Sequence, residues 1–262
     1  MFDGDRLDRR DPALIGKVLP ALQWLNRSYV KLRVSGLQHL GPAPALYVAN
    51  HNGGIMGPDL FCTLGTLWER LGVDAPLFPL AHDFAMRQFA PLGLVLQRFG
   101  AIRACPDNAR RVLTQGGQAL VYPGGDLDAY RHSRLRDQVV LGERTGFVRI
   151  AQEVGVPIIP IVVHGAHRSA YIFSEGEGIA RRLGLMRWAR VSRFPLALAL
   201  PWGLALGPWL PYLPLPFPIQ LRVLPPILVP RGQDPVVARD QVRSSMQATL
   251  DELAQTSRGK ND

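Results

Sequence analysis

Ala45-Leu46-Tyr47-Val48-Ala49 is an unbroken apolar run that ends abruptly at Asn50-His51-Asn52-Gly53-Gly54. A short run without polar interruption suits a strand covered on both faces, as in a parallel sheet. The glycine-rich loop then reaches Gly57-Pro58-Asp59. Proline at a first helical position opens a helix there, which runs to about Leu71. The same rhythm recurs downstream. Residues 118–122 read as a strand and Pro123-Gly124-Gly125-Asp126 as a turn. Residues 146–153 read as a helix stopped by Gly155, and 156–163 as a β-branched strand. A late strand is expected at 219–223. A last helix opens at Asp234-Pro235 and carries Val242, Met246, Leu250 and Leu253 on one face. Upstream, Asp11-Pro12 reads as an N-cap and first turn. Leu14, Val18, Leu22 and Leu25 then form an apolar stripe, with a kink at Pro20 and an aromatic anchor at Trp24; residues 30–35 alternate like a half-buried strand. Strands alternating with helices predict a single α/β domain with a mostly parallel central sheet flanked by helices. An amphipathic N-terminal helical segment, 1–28, precedes the main domain, 29–262, and is read as membrane-associated.

Composition narrows the function. With 47% hydrophobic residues among 262, the chain can bury a sizeable core, which excludes a disordered tail protein. The formal charge is +9, and all but three of the 30 basic residues are arginines. Arginine's planar fork suits phosphate, although a GC-rich coding sequence produces the same bias. Such a field attracts nucleic acid, anionic lipid or phosphorylated substrates. No basic run interleaved with aromatics is present, so nucleic acid is not expected as a partner. Two cysteines, Cys62 and Cys105, exclude a disulfide scaffold and fit a reducing compartment. No apolar stretch follows the charged N-terminus, so no secretory signal is expected. Residues 194–221 carry no charge, yet seven prolines interrupt them, which excludes a spanning helix. Trp202, Trp209 and Tyr212 make this proline-rich segment either interfacial or a loop packed on the protein's own core.

Sites in α/β sheets form at the carboxyl ends of strands. His51, directly after a buried strand, is placed to act as a general base, and Asp59 is the nearest acid that could orient it. Each also has a structural alternative: His51 as a loop-bonding histidine, Asp59 as a complement to the helix dipole. No serine or cysteine nucleophile motif is present, which favours direct deprotonation of a substrate hydroxyl. The second loop offers Gly124 and Gly125, whose N–H groups can face an anion, and Arg131 as a charged contact. It is not a phosphate-binding P-loop or a dinucleotide fingerprint. His164 and His167 follow the third strand, but no further ligand sits at metal-site spacing, so no metal is expected.

Read together, these blocks resemble the glycerolipid acyltransferase superfamily (lysophosphatidate-acyltransferase-like), and within it the mono- and diacylglycerol acyltransferase-like branch. The resemblance runs from Tyr29 to about Val229. It includes Leu46-Tyr47-Val48-Ala49-Asn50-His51 with Gly53-Gly54, Phe99-Gly100-Ala101 and Val121-Tyr122-Pro123-Gly124-Gly125. Gly146-Phe147-Val148-Arg149-Ile150-Ala151 and Val156-Pro157-Ile158-Ile159-Pro160-Ile161 follow, and Leu213-Pro214-Leu215-Pro216 closes it. The family implies transfer of a fatty acyl group from acyl-CoA, or another acyl thioester, to the hydroxyl of a glycerolipid or lysophospholipid. It implies His51 as base and Asp59 as its orienting acid. Asn50, Gly53, Gly54, Arg103, Gly124, Gly125, Asp128 and Arg131 are the substrate-binding candidates. Arg103 stands where the family holds an acceptor phosphate. The glycine pairs supply oxyanion donors, and Asp128 replaces the acid of the family's Pro-Glu-Gly-Thr-Arg block. No cofactor is implied beyond acyl-CoA as co-substrate. The implied setting is a membrane surface, peripheral or monotopic, on the cytoplasmic face. Two departures stand out: seven residues rather than four separate His51 from Asp59, and the glutamate and arginine of the later block are missing. The alternatives are a lipid thioesterase or hydrolase using the same base, and a non-catalytic basic lipid-binding peripheral membrane protein.

Overall fold

A computed structural model describes residues 3–52, 54, 57–83, 86, 90–207 and 212–258. Gly53 and Trp209, both singled out above, lie outside the described residues. Helix α1 (Pro12–Trp24) passes through a π turn (Leu25–Tyr29) to β1 (Arg33–Ser35) and then β2 (Leu46–Ala49). Next come α2 (Pro58–Leu71), β3 (Leu77–Ala81), α3 (Ala90–Arg98), β4 (Ile102–Arg103), α4 (Pro106–Thr114) and β5 (Gln118–Val121). The second half holds α5 (Asp126–Ala129), α6 (Gly146–Val154), β6 (Ile158–His164), β7 (Tyr171–Ser174), α7 (Glu177–Arg182) and α8 (Leu185–Trp188). It ends with β8 (Leu196–Ala199), β9 (Gly203–Leu206), β10 (Gln220–Val223) and α9 (Pro235–Arg258).

Among the described residues the main sheet has 7 strands in the order β1-β10-β6-β2-β5-β3-β4. Among these described strands only the β10–β6 pair is antiparallel. This is the expected α/β architecture, with β2 at the centre. Its pleat sends alternate side chains to opposite layers. Leu46 and Val48 join a core with Val112 of α4, Val148 of α6 and Val242, Met246 and Leu250 of α9. Tyr47 and Ala49 join the other core, with Ile15 and Leu22 of α1 and Cys62, Leu67 and Trp68 of α2. Both faces are therefore covered, which is why the strand reads as apolar throughout. Full burial of each large side chain in these layers contributes about 1.5–3 kcal/mol.

Three sequence readings shift. The buried line of α1 runs through Ile15 and Leu22, with Leu19 packed beside it, and the helix continues through Pro20. The strand expected at 30–35 shortens to β1, because helical turns persist to Tyr29 and Lys31 takes a positive φ of 47°. The proline-rich stretch is not a plain loop. β8 and β9 form a hairpin that joins β7 in a separate 3-stranded antiparallel sheet. Among the described residues no helix is long and apolar enough to cross a membrane.

Candidate active site

Strands β2, β5 and β6 are adjacent and parallel, so the loops that follow them emerge together at one edge of the sheet. At the end of β2 the side chain of Asn50 takes over the ladder: its Oδ1 accepts the Val163 N–H at 2.8 Å and its Nδ2 donates to the Val163 carbonyl at 2.9 Å. The main chain is thereby freed to turn, and His51 projects from the sheet edge with 21% of its side chain exposed.

The imidazole meets Asp59 across the glycine-rich bend. His51 Nδ1 lies 2.8 Å from Asp59 Oδ2, which also accepts the Asn52 N–H at 3.1 Å. Asp59 is fully buried in the first turn of α2. The Gly57 N–H donates to the Gly54 carbonyl at 3.1 Å, just before α2. A Cβ on Gly57 would stand 2.2 Å from Asp59 Oδ1 and 2.4 Å from the Asn52 carbonyl oxygen, so only glycine fits there. A carboxylate at Nδ1 favours, in the neutral ring, the tautomer that carries its proton there and leaves the Nε2 lone pair free. Burial lowers the His51 pKa, but the charge and hydrogen bond of Asp59, aided by Asp128, outweigh it and raise the pKa above the ordinary 6.5. Tyr122, at the end of β5, lays its ring against the imidazole with centroids 4.8 Å apart.

A buried pair holds the backbone of the same residue. Asp128 Oδ2 accepts the His51 N–H, and Arg131 donates to the His51 carbonyl at 2.9 Å. Arg131 and Asp128 pair at 2.6 Å. The guanidinium also reaches the Asn52 side chain and the carbonyls of Asp128, Leu135 and Arg136. Burial pushes the Asp128 carboxyl upward, opposed by Arg131 and by N–H bonds from His51 and Val140.

Several of the substrate-binding candidates already have partners within the protein. Arg131 is 1% exposed and its donors are engaged by protein oxygens, so it braces the loop instead of facing a ligand. Asp128 and Asn50 are fully buried and play supporting parts. Arg103, read as an acceptor-phosphate ligand, is paired with Asp5 from the N-terminal segment through Nε at 2.7 Å. The Gly54 N–H donates to the Ala129 carbonyl and the Gly125 N–H to the Tyr122 carbonyl, so neither is available as an oxyanion donor. Gly124 is a packing glycine: a Cβ would stand 2.0 Å from the Val140 carbonyl oxygen and 2.4 Å from Asp128 Cβ. Asp126 turns away to bind Ser192. His164 and His167 diverge, the first toward Asp137 and Ser257, the second onto the Arg131 carbonyl. Asn52, Gly57 and Tyr122 were not singled out as site residues. Only the position of Tyr122 at a strand end beside β2 signalled its role.

The family profile described as Acyltransferase matches residues 31–164, a span that contains the whole His51–Asp59–Asp128–Arg131 constellation. The chain belongs to the acyltransferase family. An uncharacterized protein of Mycobacterium tuberculosis (strain ATCC 25618 / H37Rv) is 27% identical over 242 residues, covering 89% of this chain and 64% of that protein. Diacylglycerol O-acyltransferase 2 of Danio rerio is 27% identical over 228 residues, covering 80% of this chain and 59% of its own length. This chain thus spans under two thirds of the length of these relatives. The crystal structure of the 1-acyl-sn-glycerophosphate (LPA) acyltransferase PlsC from Thermotoga maritima shares the fold. The TM-score is 0.56 at 17% identity, covering 92% of this chain and 79% of that one. The acyltransferase resemblance drawn from the sequence blocks therefore holds.

Proposed function

We propose that this acyltransferase moves a fatty acyl group from acyl-CoA, or another acyl thioester, to the hydroxyl of an uncharged glycerolipid, a mono- or diacylglycerol. The carrying observation is the His51–Asp59 pair at the end of the central parallel strand, with Nδ1 2.8 Å from the carboxylate. In this reading His51 Nε2 takes the proton as the acceptor oxygen attacks the thioester carbonyl carbon. The C–S bond breaks, the ester forms, and the thiolate leaves with the proton from the imidazolium. Asp59 holds the tautomer and stabilises the positive ring. The engagement of Arg103 by Asp5 and of Arg131 by the loop argues against a phosphorylated acceptor, because both candidate phosphate ligands already have partners. The site uses no cofactor beyond the acyl-CoA co-substrate. The protein works at a membrane surface, where such acceptors reside. The free thiols Cys62 and Cys105 accord with the cytoplasmic face.

The test is labelled acyl-CoA with monoacylglycerol, diacylglycerol and lysophosphatidate, each dispersed in detergent. A labelled di- or triacylglycerol is expected from the wild type. His51→Ala is expected to lower turnover by about 10²–10⁴ with the fold intact. Free fatty acid as the sole product, or full turnover by His51→Ala, overturns the proposal.

A further inference from the structure

The two faces of the β7-β8-β9 sheet differ sharply in exposure. On its inner side Ala197, Ala199, Ala205 and Ile172 are buried. On its outer side Tyr171, Leu198, Leu204 and Leu206 are each about half exposed, and Phe173 is 38% exposed. Register aligns them: Tyr171 pairs with Leu198, which pairs with Leu204, so three large apolar side chains form a row across the sheet. Leu200 and Trp202, at the turn between β8 and β9, are exposed too. A water-facing antiparallel sheet alternates apolar-in with polar-out; here the outward positions of β8 and β9 are leucines. A contiguous apolar face of this kind marks an interaction surface.

Charge indicates the partner. The segment joining β7 to β8 carries Arg181, Arg182 and Arg187, all exposed, while its acids Glu175 and Glu177 face Arg193. The three exposed arginines alternate with exposed Ile179, Leu183 and Met186. Exposed arginines interspersed with aliphatic side chains suit an anionic lipid surface, with chains reaching the acyl boundary and guanidinium groups at the phosphates. The sheet is also continuous with the site. Tyr212 packs on its inner alanines and lies beside Gly54 of the His51 loop. Of the aromatics for which the sequence leaves both an interfacial and a packed reading open, Tyr212 packs inward and Trp202 is exposed.

We infer that the outer face of β7-β8-β9, with Arg181, Arg182 and Arg187, docks the protein on an anionic bilayer. The choice of a bilayer over a protein partner rests on the acyl-transfer reading, and it names the surface by which lipid reaches that site. The experiment is flotation of the full chain with vesicles of phosphatidylcholine alone or mixed with phosphatidylglycerol, at low and high salt and without substrate. Its outcome is independent of turnover. The wild type is expected to float with the mixed vesicles and to be released by salt. Leu198→Asp/Leu204→Asp is expected to lose binding at least about tenfold. Replacing the three arginines by alanine is expected to abolish the preference for the anionic vesicles. Leu228→Asp, at an exposed leucine elsewhere on the surface, is the control and is expected to bind as the wild type does. The proposal is overturned by any of three results. The wild type binds neither vesicle; the control loses as much as the leucine pair; or the leucine pair converts an oligomer to a monomer and leaves flotation unchanged.

Discussion

His51 and Asp59 are eight residues apart and joined at 2.8 Å, although the chain between them is bent by a glycine-rich turn. The short-gap arrangement of the family is thus reached by a different local route: the N-terminal turn of α2 presents the carboxylate, and Gly57 lets the backbone fold against it. The helix-dipole reading of Asp59 and the orienting reading are therefore compatible. The same buried oxygen, Oδ2, accepts from both His51 and Asn52.

Asp59→Asn tests that relationship. The amide keeps the shape but loses the charge that fixes the Nδ1 proton, so turnover is expected to fall by roughly 10³–10⁴. The pH profile carries the sign. Burial lowers the His51 pKa while Asp59 raises it, so the wild-type acid limb should lie above 6.5. A base must be neutral, so activity falls as pH drops through that value. In Asp59→Asn the limb is expected to move downward, read from log kcat/KM against pH. An unmoved limb in the variant would show that Asp59 does not govern the imidazole.

Asp128 and Arg131, paired with each other, bond the N–H and the C=O of His51 respectively. Each is fully buried, so removing one strands the other's charge. Arg131→Met alone is expected to destabilise the fold by about 3–5 kcal/mol. Asp128→Asn/Arg131→Met is expected to cost less than the two single effects added, because neither charge is then left unpaired. Chemical denaturation of the four proteins measures the coupling. Additive losses would mean that the two side chains support the loop independently.

Those two residues also mark where the sequence stops being informative. The apolar run 45–49, its abrupt end at His51 and the prolines and glycines at strand ends are local signals, and they were enough for the parallel core and for the placing of His51 at a strand end. Whether an arginine is available to a ligand is not local. Arg103 meets Asp5 at a separation of 98 residues and Arg131 meets Asn52 at 79, so both read as free cations in the linear chain. The β8–β9 hairpin was missed for another reason. Its inward alanines and outward leucines are both apolar, so the period-2 pattern that identifies a strand was absent, and the flanking prolines suggested a loop.

Asp137 provides a stability test at a residue that does not itself contact His51 or Asp59. It accepts from His164 and Arg258 at the end of α9, and these groups hold its pKa at about 2, below the ordinary 3.8. The hydrogen bond from His164 is the largest cause. A folded-state pKa below the unfolded one contributes stability that is present above 3.8 and is lost as pH falls through about 2. Asp137→Asn is expected to cost about 1–2 kcal/mol at neutral pH, allowing for partial exposure. The gap between variant and wild type should close between those two values. A gap independent of pH would assign the loss to packing.

Gly57→Ala isolates the bend itself. The φ of Gly57 is −54°, which alanine adopts without strain, so any effect must come from the added methyl. That methyl would stand 2.2 Å from Asp59 Oδ1 and 2.4 Å from the Asn52 carbonyl oxygen. One obstacle is a buried carboxylate and the other is backbone, and neither is the free end of a flexible side chain. Relief therefore requires Asp59 and the His51 loop to separate. Overpacking of this kind costs about 1–3 kcal/mol of stability. A displacement of about 1 Å at the base is expected to lower kcat by about 10². Gly16→Ala in α1 is the matched control: beyond its chain neighbours and the backbone of its own helix, no described atom lies within 4 Å of its added Cβ, and it is expected to stabilise the helix by up to about 1 kcal/mol with turnover unchanged. Steady-state kinetics and thermal melts of the two variants, taken together, separate the cases. Wild-type kcat in Gly57→Ala would mean that the carboxylate does not need its observed position against His51.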